Sequence, residues 1–91
     1  MQRKVPKDNA RRYLAENIRI ARAILGVSQM QLGLECGLDR TFLGKIERMA
    51  VSPSIDVLDK LASRLNVPVN VMLLPADQAQ PLIYAAARKR T

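Results

Sequence analysis

Residues 29–48, QMQLGLECGLDRTFLGKIER, limit what this chain can fold into more than any other stretch. They read as two short helices joined by a tight turn. Ser28 is placed to cap the first helix, 29–36, because its side-chain oxygen can accept a backbone N–H of the first turn. Gly37 ends that helix, since glycine takes the left-handed conformation just past a helix at no steric cost. Asp39 stands where a second helix, 40–48, needs its cap. Gly33 sits inside the first helix, where glycine costs about 1 kcal/mol relative to alanine. Close approach of the two helices would account for it.

The second helix has two chemically different faces. Successive residues turn by about 100° around a helix axis. With Arg40 at zero, Thr41, Gly44, Lys45 and Arg48 fall within an arc of about 140°. Phe42, Leu43 and Ile46 take the other side, and Glu47 lies about 20° outside the arc, at its Arg40 edge. One face must be buried; the other is cationic and carries no acid. A lone helix of this kind is ordinarily a solvated surface. Here a small residue, a turn glycine and two apolar anchors precede and underlie it. Those are the offsets of a helix-turn-helix, whose second helix enters a DNA major groove.

The stretch resembles the helix-turn-helix of the XRE, phage-repressor-like (lambda repressor-like) family. The matching residues are Ser28-Gln29, Leu32-Gly33, Gly37 and Ile46-Glu47-Arg48, with Arg22 upstream and Pro53-Ser54 downstream. The match covers residues 14–74. It implies an all-α, compact five-helix domain. It implies that Arg40, Thr41, Gly44 and Lys45 face the bases, and that Gln29 and Arg48 meet phosphate. It further implies that Arg22 pairs with Glu47 and ties the first helix to the recognition helix. Met49 departs from the family pattern, which has glycine there; Met49 must accept strain or bend the loop another way. Ala50 and Val51 depart from a loop that is usually polar or basic. Ser52 is left as the best phosphate contact of that loop.

The chemistry of these side chains fits such a role. Arg40 and Lys45 can donate to guanine O6 and N7. Thr41 can hydrogen-bond a base or phosphate, or meet a thymine methyl. Gly44 can let the backbone approach DNA, or be a tolerated exposed glycine. Gln29 begins a helix, whose N-terminus attracts an anion.

Composition bounds the alternatives. Ninety-one residues make one domain. The net charge of +7 favours a polyanionic partner over a merely soluble basic protein. Only one Phe, two Tyr and no Trp are available, so the core must be aliphatic. Cys36 is the single cysteine and cannot form an internal disulfide. It reads as a buried thiol in a reducing compartment, with a redox switch as the sharper alternative. Histidine is absent, so a zinc site is not expected, nor is any cofactor. With neither histidine, phosphate loop nor paired carboxylates, the chain is not expected to be an enzyme. Neither a signal peptide nor a spanning apolar run is evident; no membrane association is expected, and a cytoplasmic location is.

Along the chain, residues 1–8 form a basic arm containing Pro6. It is either a flexible terminus or a segment that tracks phosphates or a minor groove. A first helix, 9–25, has Leu14, Ile18, Ala21 and Leu25 on one stripe. Ser54 caps a fourth helix, 55–65, with Ile55, Leu58, Leu61, Ala62 and Leu65 inward. Pro68 fits the first turn of a fifth, 69–74. That helix is apolar nearly all round, so Val69, Val71, Met72 and Leu74 are expected at a homodimer interface. The alternative is that the tail folds back over them. The helix-turn-helix domain is thus expected to span 9–75, and 76–91 to be a tail or a short sixth helix. In that helix Asp77 or Gln80 would be the cap, Pro81 would sit in the first turn, and Leu82, Ile83 and Ala86 would be the apolar positions.

The expected function is a sequence-specific, dimeric transcription regulator on a palindromic operator in double-stranded DNA. A weaker subgroup likeness is to the small controllers of restriction–modification systems. Two alternatives stand beside it: an antitoxin whose main partner is a protein toxin, and an interaction module without DNA binding.

Overall fold

The computed structural model describes residues 9–88, and all regular structure among them is helical. The elements are α1 (Asn9–Leu25), α2 (Gln29–Glu35), α3 (Phe42–Glu47), α4 (Ile55–Leu65), α5 (Val69–Met72) and α6 (Ala76–Arg88). The expected basic arm, 1–8, lies outside the described residues. None of the described helices is long and apolar enough to cross a membrane.

Local chemistry sets most of the boundaries. Ser28 Oγ accepts the Gln31 N–H at 3.0 Å, and Ser54 Oγ accepts the Val57 N–H at 3.1 Å. Both are side-chain caps of a first helical turn. The first four helices all stop the same way. The residue past each end has positive φ: Gly26, Gly37, Met49 and Asn66. The N–H that follows it reaches back to the fifth carbonyl before it, as Val27 does to Arg22, Leu38 to Gly33, Ala50 to Lys45 and Val67 to Ala62, all at 2.8–3.0 Å. This is the Schellman stop, used four times in succession. Each stop turns the chain within a few residues; α2 then packs on α3 and α4 on α5, while α1 skips its neighbour and packs on α3.

α1 is the central strut, in contact with α3, α4, α5 and α6. Its buried stripe, Leu14, Ile18 and Ala21, shares one core with Leu32, Leu43, Ile46, Leu58, Leu61, Leu65, Met72 and Ile83. The core is aliphatic, as the composition demands.

Several expectations are corrected. The second motif helix does not start at Arg40: α3 starts at Phe42, with Thr41 as its N-cap residue and no side-chain cap bond. The Asp39 carbonyl accepts the Phe42 N–H at 3.0 Å, closing a turn before the helix begins. Arg40 and Thr41 therefore belong to the turn. A methyl on Gly33 would meet nothing within 4 Å, so close helix approach does not explain that glycine. Ile55 is 71% exposed and does not join the inward stripe of α4. α5 ends at Met72, and Pro68 precedes it as the N-cap residue.

The largest correction concerns the expected dimer interface. Val71 and Met72 are buried within the chain. α6 folds back against α1 and α5 and puts Ala79 and Ile83 into the same core. These two α5 residues thus need no second copy. Val69 and Leu74 are only half-buried. α6 also begins earlier than expected: the Pro75 carbonyl accepts the N–H groups of Gln78 and Ala79 at 2.9 Å. Pro81 consequently lies inside the helix rather than in its first turn.

Candidate nucleic-acid interface

The turn and α3 stand on apolar footings. Leu43 and Ile46 are buried and Phe42 is half-buried, while Arg40, Thr41, Lys45 and Arg48 are exposed. Burying the footings leaves these polar groups in solvent. Arg40 borders a cleft of 320 Å³ shared with Met30, Gly33, Leu34 and Leu38. Lys45 projects from α3 itself.

A polar latch holds α3 against α1. Arg22 Nε donates to Glu47 Oε2 at 2.8 Å, and a terminal Arg22 nitrogen donates to Oε1 at 3.0 Å. Gln29 Nε2 adds a third bond to Oε1, at 3.1 Å. Arg19 donates to the Glu47 main-chain oxygen at 3.0 Å, and Arg22 also reaches the Val27 carbonyl at 3.3 Å. Glu47 is buried, but its carboxylate is met by a two-pronged guanidinium, the geometry in which such a pair is strongest. The latch joins the end of α1, the start of α2 and the end of α3 at one carboxylate.

Gln29 is thus a member of the latch as well as a candidate phosphate contact. Gly44 is buried, which corrects the expectation of an exposed glycine. The nearest atoms above it are the side-chain ends of Gln29 and Arg48. Ser52 is exposed and is not gathered into this group. It lines a small cavity of 90 Å³ with Ala10, Arg11, Leu14, Pro53, Leu58 and Leu73.

Two residues that brace this architecture escape a reading of the sequence. Arg19 is one; its placement three residues before Arg22, on the same helical face, was the available signal. Asn17 is the other. It is fully buried, and its Nδ2 donates to the carbonyls of Met72 at 2.9 Å and Leu74 at 2.8 Å, with a longer contact to Val71. It ties the end of α5 to α1.

Cys36 is buried and donates through Sγ to the Lys60 carbonyl at 3.6 Å. Burial raises its thiol above the ordinary value and Glu35 adds to that, while Arg64 and Lys60 oppose it. Such a thiol is inert rather than poised. Beside it Arg64 and Glu35 form an ion pair linking α4 to α2. Among the described residues no group of three or more His, Cys, Asp or Glu is placed to hold a metal ion.

Comparison with known proteins agrees with this architecture. A family model described as helix-turn-helix matches residues 18–71. The chain is similar to a hypothetical transcription factor of Neisseria meningitidis serogroup B, with 33% identity over 84 residues, 92% of this chain and 79% of that protein. It is similar to the HTH-type transcriptional regulator SutR of Escherichia coli, with 34% identity over 77 residues, 85% of this chain but 43% of that protein. It is also similar to the control protein C.SmaI of Serratia marcescens, with 42% identity over 60 residues, 66% of this chain and 71% of that protein. The crystal structure of the hypothetical transcription factor NHTF from Neisseria superimposes with a TM-score of 0.75 and 32% identity, over 90% of this chain and 95% of that one. With the latch, the turn and the six helices in place, this chain belongs to the XRE-type, phage-repressor-like helix-turn-helix family.

Proposed function

We propose that the chain is a DNA-binding transcription regulator, acting in the cytoplasm as a homodimer on a palindromic operator. One observation carries this: Arg40 and Lys45 are exposed on a turn-and-helix unit whose underside is anchored by Leu43 and Ile46 and latched through Glu47. A rigid cationic projection of this width can enter a major groove and donate to base edges. Arg40, Thr41 and Lys45 are the base-reading candidates, and Gln29, Arg48 and Ser52 the phosphate contacts. The described relatives, which are named as transcription factors, regulators and a control protein, support the same role.

The homodimer is supported by an apolar groove of 540 Å³ between α4, α5 and α6. Val67, Pro68, Leu82, Ala85 and Ala86 are among its lining residues, and Leu82 is 48% exposed. A second copy is the proposed occupant of that groove, and a dimer of such modules reads half-sites about 34 Å apart.

Selection from a random duplex pool tests the proposal. It should return a palindrome, bound by two protomers. On that duplex Arg40→Ala and Lys45→Ala should each cost about 1–3 kcal/mol and relax specificity at one position. Equal losses on a scrambled duplex would make them phosphate contacts. A chain without salt-dependent affinity for duplex DNA would be an interaction module instead.

A further inference from the structure

We propose that Gly44 is a positioning residue: its missing side chain seats Gln29 and Arg48 side by side as phosphate-facing donors, and it meets no base itself. This rests on the DNA-binding role above and deepens it. Glycine in a helix interior is unfavourable, so something must favour it here. Backbone conformation does not, because the positive-φ glycines are Gly26 and Gly37. Core packing does not either. A Cβ built on Gly44 would have as its three nearest neighbours Gln29 Oε1 at 3.2 Å, an Arg48 guanidinium nitrogen at 3.2 Å and Gln29 Cδ at 3.7 Å. These are ends of polar side chains, not core atoms.

The two side chains come from different helices and converge over one backbone position. Gln29 opens α2, and Arg48 follows the last residue of α3. The Gln29 amide is not free to turn, because its Nε2 donates to Glu47 Oε1 and Glu47 is held by Arg22. That bond uses one of two amide protons and turns Oε1 over Gly44 towards Arg48. The amide has a second proton to donate, and the residue is exposed. Arg48 is exposed, and its guanidinium keeps donors for an anion. A methyl group at 44 would push against both ends at once. The latch holds Gln29, so the few tenths of an ångström that the methyl demands fall on Arg48.

The test compares the wild-type chain with Gly44→Ala on the selected duplex and on a scrambled duplex of equal length, over a salt series, with thermal midpoints measured in parallel. Gly44→Ala should melt no earlier than wild type, since alanine favours the helix. It should bind both duplexes about fivefold more weakly, with a salt slope shallower by about 0.9, the loss of one phosphate contact. Gln29→Ala should weaken binding similarly, and the two changes together should be less than additive. Unchanged affinity in Gly44→Ala overturns the inference while leaving the DNA-binding role intact. A loss confined to the selected duplex overturns it by returning Gly44 to the base-facing surface. A lowered melting point or a failure to fold overturns it by making Gly44 a packing residue. A wild-type chain that binds neither duplex removes the DNA-binding role and this inference with it.

Discussion

Met49 occupies a backbone conformation that glycine would occupy at lower energy. Its φ of 61° lies in the left-handed region, where a side chain crowds the following carbonyl. The Schellman stop of α3 demands that conformation, and Ala50 closes it onto Lys45 at 2.8 Å. Met49→Gly should therefore raise stability by about 0.5–1 kcal/mol, the strain relieved less the entropy that glycine adds to the unfolded chain. A rise in the denaturant midpoint at unchanged slope would register it. Gly33 is the opposite case. It lies in α2 with room for a methyl and no unusual backbone, so Gly33→Ala should stabilise by about 1 kcal/mol through helix propensity alone. A loss in the same measurement would show that the neighbouring cleft needs its present width. Asn17 marks what cannot be read at this scale. Nothing near it in the chain announces that its amide closes carbonyls 55 and 57 residues away. Its Oδ1 is buried without a partner among the described residues, which the amide tolerates because turning it over would set oxygen against those carbonyls.

Among the elements, α3 depends on partners to a degree that its six residues explain. A helix this short has little stability of its own, and its position comes from tertiary contacts. Its apolar side gives Leu43 and Ile46 to the core; its far end is latched by Arg22, Gln29 and Arg19. Arg22→Met should leave the Glu47 carboxylate buried with the Gln29 amide as its remaining partner within this latch. The expected loss is about 3 kcal/mol, near the low end for breaking a buried pair because Arg22 keeps some contact with water. Arg22→Met combined with Glu47→Leu should recover most of that loss, since no uncompensated charge remains. Chemical denaturation of the four proteins in the cycle gives the coupling directly. The helix ends of α1, α2 and α4 were legible in the sequence because caps and stops are local chemistry: Ser28, Ser54, Gly26, Gly37 and Asn66 act on backbone groups within a few residues. The start of α3 was not. Asp39 has the composition of a cap, but the turn places its carbonyl, not its side chain, against Phe42. Ile55 was misread for a related reason: it is the first residue of α4, and periodicity extends the apolar face into a turn that α1, α2 and α5 leave uncovered.

At the scale of the whole molecule, the decisive piece is the one the sequence left open. α5 is too short and too apolar to stand alone, and two covers were compatible with its pattern: a second chain or the tail. The structure uses the tail. Pro75 supplies the carbonyl that starts α6, and the turn there lays Ala79 and Ile83 against α1 and α5. Both covers bury the same apolar side chains, so composition could not choose between them; only the length and direction of the connection could. The choice separates folding from assembly. If α5 were covered by a partner, the folded state would depend on protomer concentration, as it does for obligate dimers. With α6 in place, the core is complete within one chain. The thermal midpoint should therefore fall with dilution only while the proposed dimer dissociates, and level off at the monomer's own value once sedimentation shows monomer alone. Ile83→Ala should lower that midpoint through a cavity costing about 2–5 kcal/mol, equally at every concentration. Leu82→Asp, on the exposed rim of the groove, should instead shift the dimer equilibrium towards monomer and leave the monomer's midpoint nearly unchanged. A midpoint with no such plateau, and no folded monomer at any dilution, would return Val71 and Met72 to an intermolecular interface and make the fold inseparable from the pair.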